Sequence, residues 1–295
     1  MVRRRKDTAR QENQVVAGRL REAADLLREQ GANPFRVNAY RNAAVTVEGL
    51  GRGVGDLIAA QGLDGLVALP HIGQGIGRAI QEMVRTGRWG QLDRLRGASD
   101  PEGLFRGVPG IGPALARRLH ERLGVDSLEA LEVAAHDGRL ESVPGIGKRR
   151  AAAISAALAT LLGKRLAPAR ADMRHRPGIG LLLDADREYR DKADRGELPR
   201  IAPKRFNPEG LDWLPVMHGE RDGWNLTVLY SNTARAHELG KTHDWVVVYS
   251  YDDHRQEGQQ TVVTESRGPL AGKRVVRGRE AECLAYYSGL KRGAG

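Results

Sequence analysis

The chain has 295 residues, of which 40% are hydrophobic and 28% charged, a length that supports about two domains each burying its own core. A single cysteine, Cys283, excludes an internal disulfide and a thiolate-rich zinc centre, and the longest apolar run, AAAISAALATLLG at 151–163, is shorter than the ~20 residues of a membrane span. The formal net charge of +10 lies mostly in the first 165 residues, a bias that suits a polyanionic partner.

Residues 1–11, beginning MVRRRKDTAR, read as a basic disordered tail. No apolar core follows them as it would in a signal peptide, so a cytoplasmic protein is expected. Val16, Leu20, Ala23 and Leu27 then recur at helical spacing, with Gly31 placed to end the helix. Asn33-Pro34 restarts the chain, and FRVNAYRNAAVTVEGL reads as a second helix with Tyr40, Ala44 and Val47 on one face and Arg36 and Arg41 turned away from it. From there to about residue 163 the pattern is short helices punctuated by glycine turns, without an alternating strand, so the first half is expected to be all-α.

Within that half, three segments repeat one pattern: LPHIGQGIGRAI from Leu69, VPGIGPALARRL from Val108 and VPGIGKRRAAAI from Val143. Each is a hydrophobe, a proline, a Gly-x-Gly turn and a helix. Glycine permits positive φ and close backbone approach, so successive N–H groups at the start of the helix can cradle a phosphate. Ile72, Ile111 and Ile146 are placed to anchor each turn in the core. Arg117 and Arg118 follow the second turn and Lys148, Arg149 and Arg150 the third, where they could flank the same phosphates or form a solvated basic face. His71 stands where the other two turns have Gly110 and Gly145.

The stretch GKRLAPARADMRHRPG, 163–178, marks a boundary, with the linker at 166–179. After it come the β-branched and aromatic runs NLTVLYS (225–231), DWVVVYSY (244–251), QTVVTES (260–266) and KRVVRG (273–278). They predict a small, mainly antiparallel sheet, with helices near 184–196 and 280–290. Two carboxylate sets are catalytic candidates. Asp184 and Asp186 have the spacing of a metal-binding pair, and equally that of acids near a helix N-terminus. Asp252 and Asp253, then Glu265 and Arg267, end successive runs in a weak echo of metal-dependent nucleases, although hairpin turns are ordinarily acidic. His237 and His243 are too irregularly spaced for a helical zinc pair. Trp213, Trp224, Tyr230, Trp245, Tyr249 and Tyr251 either stack on unpaired bases or form the sheet core.

The ordered set NPFRVNAYRNAA (33–44), LPHIGQGIGRAI, VPGIGPALARRLHERLGVDSLEAL and VPGIGK resembles the non-catalytic amino-terminal part of family X DNA polymerases, the group containing DNA polymerase beta. The resemblance covers about residues 12–160. It implies two helix-hairpin-helix units, over 12–97 and 98–165, that bind DNA at nicks and gaps, followed by an α+β domain over 180–295 of unknown role. It also implies DNA contacts from Arg36, Tyr40 and Arg41 and from the hairpin residues Gly73, Gly75, Gly110, Gly112, Arg117, Arg118, Gly145, Gly147, Lys148 and Arg149. A monovalent cation in the hairpins is a further implication, and no other cofactor follows. In some members a lysine after the first hairpin forms a Schiff base. Here Ala79 occupies that position and Gly75 that of a neighbouring lysine, and no lysine lies between Lys6 and Lys148. Arginine cannot form the imine, so the turn reads as a grip on phosphate without lyase chemistry. The polymerase palm is not recognisable either.

The expected function is sequence-independent DNA binding in repair by a nucleoid-associated protein. The alternatives are a metal-dependent nuclease working through the second domain and a scaffold on which a repair protein docks.

Overall fold

The computed structural model describes residues 2–98, 100–162, 176–252 and 257–293. Two compact units divide the chain, one of residues 1–168 with 251–257, the other of 169–250 with 258–295.

Among the described residues the first unit has only helices and turns through residue 162. Helix α1 spans Val2–Glu29, so the stretch expected as a disordered tail continues the helix upstream. The reason is local: no glycine or proline interrupts the chain before Gly18, and arginine, lysine, glutamine and alanine are good helix formers. The helix closes at Gly31 (φ 72), a left-handed stop. Helix α2 (Pro34–Glu48) starts with proline in its first turn, and Asn33 caps it by accepting from the Phe35 amide.

Helix α3 (Val54–Val67) is broken at Gly62. Its start is capped from α1, where buried Asn13 accepts from the Val54 amide (2.9 Å) and Glu12 from the Gly55 amide (3.0 Å). Helices α4 (Gln74–Thr86) and α5 (Gly90–Leu95) complete a core built on Leu20, Leu27, Val47, Leu57, Leu66, Ile80 and Trp89. A Cβ at Gly77 would lie 3.0 Å from Leu63 Cδ1 and 3.4 Å from Val67 Cγ2, so this glycine is what lets α4 approach α3 closely.

A second, separate core joins α6 (Pro101–Arg106), α7 (Pro113–Leu123), α8 (Leu128–His136) and α9 (Lys148–Leu161) around Phe105, Leu115, Leu119, Leu131, Ile154 and Leu158. Arg85 of α4 donates to the carbonyls of Thr160 and Leu161 at the end of α9. A cation there complements the negative helix terminus and ties the two helical cores together.

The second unit begins with α10 (Ile179–Asp194), five residues ahead of its expected start because Ile179, Leu182 and Leu183 already face the core. Among the described residues six strands lie in sequence order across one sheet: β1 (Arg200–Ile201), β2 (Leu214–Arg221), β3 (Trp224–Tyr230), β4 (Val246–Tyr251), β5 (Gly258–Thr264) and β6 (Arg274–Val276). The pairs β1–β2, β2–β3, β4–β5 and β5–β6 are antiparallel. The short helix α11 (Ala234–Glu238) lies between β3 and β4, and α12 (Glu280–Gly293) follows β6.

Four of these strands fall where the sequence predicts them; β1 and β2 were not expected. Tyr189 of α10 pins the helix to the sheet, donating to Pro215 O and accepting from the Tyr230 amide, both at 2.9 Å. Its burial pushes the phenol pKa up. The linker expected at 166–179 lies outside the described residues through 175.

Candidate nucleic-acid interface

The three repeated segments fold into the same turn. In each, the isoleucine amide donates to the carbonyl three residues earlier: Ile72 to Leu69 (3.3 Å), Ile111 to Val108 (3.1 Å) and Ile146 to Val143 (3.1 Å). The residue before each isoleucine is left-handed, with φ of 62° at His71, 86° at Gly110 and 87° at Gly145. The residue after it caps the next helix in an extended conformation, at ψ 177° for Gly73, 173° for Gly112 and 171° for Gly147. The isoleucines themselves are buried. His71 therefore takes up the glycine geometry, and its substitution strains the first hairpin without remodelling it. Thr46 of α2 braces that hairpin by donating to Pro70 O (3.0 Å).

The consequence is three helix N-termini, of α4, α7 and α9, each carrying orphan amides at the end of a turn anchored by a buried isoleucine. None has an acidic residue in its first turn, so no side chain of its own balances the positive end of the helix dipole. Gly73, Gly110, Gly112, Gly145 and Gly147 are exposed and Gly75 half-buried. The hairpins are not identical as donors, because Pro113 removes one N–H from the start of α7. At α9 the opposite emphasis holds: Lys148, Arg149 and Arg150 occupy the first three positions, where cations oppose the dipole. Lys148, Arg149 and Arg117 are exposed.

Arg118 and Arg150 have a different arrangement. Arg118 Nη1 donates to Pro144 O (2.8 Å), across from its own helix to the third hairpin. Arg150 Nη2 donates back to Gly110 O of the second hairpin (3.2 Å), and its Nη1 to Gly145 O (3.4 Å). A monovalent cation held by these oxygens would compete with guanidinium nitrogens.

The residues expected on α2 divide. Arg36, expected away from the apolar face, is instead buried with Tyr40 at 7% and 5% exposure. The reason is the helical period: residues 36, 40, 44 and 47 form one stripe. The Tyr40 hydroxyl donates to Gln91 Oε1 (3.0 Å), and burial raises its pKa. Arg41 remains half-exposed beside Asp25 (3.0 Å). Ala79 is buried in the first core.

In the second unit the carboxylate candidates each have separate partners. Asp186 is fully buried and held by Arg274 through Nη2 (2.5 Å) and Nε (2.9 Å), with Arg190 at 3.3 Å. Asp184 pairs with Arg187 (2.6 Å). Glu265 accepts from the amides of Ser266 (2.8 Å) and Arg267 (3.3 Å) and from Arg277 (2.9 Å), bonds that hold its carboxyl below the ordinary pKa, the Ser266 amide foremost. Asp252 directly follows β4, and Asp253 lies outside the described residues.

Among the described residues no three His, Cys, Asp or Glu side chains group closely enough to hold a metal ion. His237 bonds Asn232 Oδ1 (2.5 Å) and stacks on Phe206 at 4.4 Å, and burial lowers its pKa. His243 lies against Tyr230 at 5.3 Å. Of the aromatics, Tyr230 and Tyr249 are buried and Trp213, Trp224 and Trp245 pack against the sheet core. Among the described residues no helix is long and apolar enough to cross a membrane.

Residues 11–89 match a model described as a helix-hairpin-helix domain, and residues 103–160 one described as a SAM-like helix-hairpin-helix tandem. The chain is 32% identical over 122 residues to the DNA polymerase/3′-5′ exonuclease PolX of Bacillus subtilis (strain 168), a match covering 41% of this chain and 20% of that protein. It is 42% identical over 84 residues to UvrABC system protein C of Nitratidesulfovibrio vulgaris (strain Hildenborough), covering 28% of this chain and 12% of that protein. The matches thus span a fifth or less of either relative. The helical unit carries helix-hairpin-helix modules of a DNA-binding kind, in a region that resembles the corresponding part of family X DNA polymerases.

Proposed function

We propose that the chain binds DNA through the backbone of its three hairpins, without reading sequence, and favours duplexes with a gap, nick or end during repair. The observation that carries this reading is the threefold recurrence of one turn geometry ahead of a helix start that lacks a compensating acid. Amides at Gly73, Gly75, Gly110, Gly112, Gly145 and Gly147 face phosphate, while Arg117, Lys148 and Arg149 neutralise neighbouring charge. Such contacts fix the duplex without recognising bases. The site of action is the nucleoid in the cytoplasm, and the sheet domain offers a surface on which a repair protein docks. No observation favours a nuclease, since Asp184, Asp186 and Glu265 are each held by arginine.

The test is a native gel shift with a one-nucleotide-gapped, 5′-phosphorylated duplex against its continuous counterpart, over a range of salt. The expected result is preference for the gapped duplex and affinity falling on a log–log plot by about 0.9 for each phosphate neutralised. In Gly145→Val, which cannot hold φ of 87° without strain, affinity falls while the sheet domain stays folded. Salt-insensitive or strongly sequence-dependent binding overturns the reading. The same DNA incubated with magnesium or manganese and run on a denaturing gel tests the nuclease alternative, for which cut strands are required.

A further inference from the structure

The sequence places Arg118 and Arg150 among the cations that follow their hairpins, in position to meet phosphate. Their side chains instead cross between motifs. Arg118 belongs to the helix after the second hairpin and binds a carbonyl of the third; Arg150 belongs to the helix after the third and binds carbonyls of both. The exchange is reciprocal, and it engages the turn residues themselves. Gly110 and Gly145, whose oxygens Arg150 holds, are the left-handed residues that define the turns. A Cβ at Gly145 would lie 3.2 Å from Arg118 Nη1, so the guanidinium closes directly over the turn. A planar fork with several donors can satisfy two carbonyls at once; an ammonium on a flexible stem holds no such geometry.

We propose that Arg118 and Arg150 are positioning residues that strap the second and third hairpins together, fixing the distance at which two phosphate-binding turns meet one duplex. Arg149 and Lys148, exposed as Arg150 is, are the phosphate-neutralising cations of the same region. Two turns held in register bind as a unit, and the second contact forms at the effective concentration that the strap sets. In the absence of DNA the strap shows itself as mutual protection of the two turns.

Its first test therefore needs no DNA and is independent of the function proposed above. Amide hydrogen exchange is followed in peptides covering 108–113 and 143–148 of the full chain, in wild type, Arg150→Ala, Arg150→Lys and Arg149→Ala. The expected result is faster exchange at Ile111 as well as Ile146 in both Arg150 variants, with the core of α7 and α9 unchanged, and no effect of Arg149→Ala. Faster exchange confined to 143–148, or rescue by lysine, overturns the strap.

A second test uses the gapped duplex and rests on the DNA-binding reading. Arg118→Ala and Arg150→Ala lower affinity roughly tenfold at unchanged salt slope, whereas Arg149→Ala reduces the slope by about 0.9. A slope reduced in Arg118→Ala makes that side chain a phosphate contact and overturns its positioning role. If wild type fails to bind DNA while the exchange coupling is present, the strap stands and the function reading falls.

Discussion

Lys148 and Arg149 sit where a helix least favours them. Cations in the first turn oppose the macrodipole, at about 0.3–1 kcal/mol each when exposed, and α9 has no acid in that turn to offset them. On the proposed DNA-binding reading, an anion bound at the hairpin would remove this opposition, so the residues would cost stability in the free protein and contribute affinity in the complex. Lys148→Glu is accordingly expected to raise the thermal midpoint slightly and to weaken DNA binding at least tenfold, both read on one preparation by calorimetry and gel shift. If binding is unchanged, the basic cluster is a solvated face. His71 is a second position of this kind, holding a left-handed conformation (φ 62) that glycine adopts freely. His71→Gly should stabilise the first hairpin by about 1 kcal/mol, seen as a higher urea midpoint. A loss of DNA affinity in that stabilised variant would assign the imidazole a contact of its own.

Among elements, the hairpins are readable from sequence because a turn of this kind is specified locally, by a buried hydrophobe followed by a glycine cap and, in two of the three, by a glycine at the left-handed position. Elements specified by packing were less accessible. The stripe that takes Arg36 inside with Tyr40 follows from helical period alone, yet an arginine on it contradicts the usual sorting of charge to the surface. The reciprocal bonds of Arg118 and Arg150 link residues 26 and 40 positions apart, which no local pattern encodes. Strand β2 was missed because Pro215 and Gly219 interrupt its alternation, although the Asp222-Gly223 dipeptide after it is a strong hairpin signal. Both turn residues have positive φ, 49° and 76°, and Arg221 pairs with Trp224 across them. Gly223→Val should therefore destabilise the second unit by about 1–2 kcal/mol without altering DNA affinity, measured by urea unfolding and gel shift together. A parallel loss of affinity would bring the sheet into DNA binding.

For the molecule as a whole, the histidine and the ion-paired glutamates act in one direction on acidification. Burial holds His237 below its ordinary pKa of 6.5, so the unfolded chain takes up its proton first and stability declines as pH falls below about 6.5. Glu22, Glu188 and Glu282 are lowered from 4.5, chiefly by hydrogen bonds from Arg96, Lys192 and Arg279. The stability they contribute is present above that value and is lost as pH falls through their folded pKa values. Urea midpoints should thus fall in two stages on acidification, the upper one absent in His237→Gln. A midpoint that rises between neutral pH and about pH 5.5 would contradict the buried, neutral imidazole.

The likeness of the three turns has a consequence for valency. Each offers only a few amides, one of them fewer through Pro113. On the proposed reading, a ligand held by three small clasps of one geometry is released in stages, one clasp opening while the others retain it. Residence on DNA would then depend on how many turns a given lesion lets close at once, and discrimination between an intact duplex and a broken one would appear in the dissociation rate before it appears in the rate of encounter.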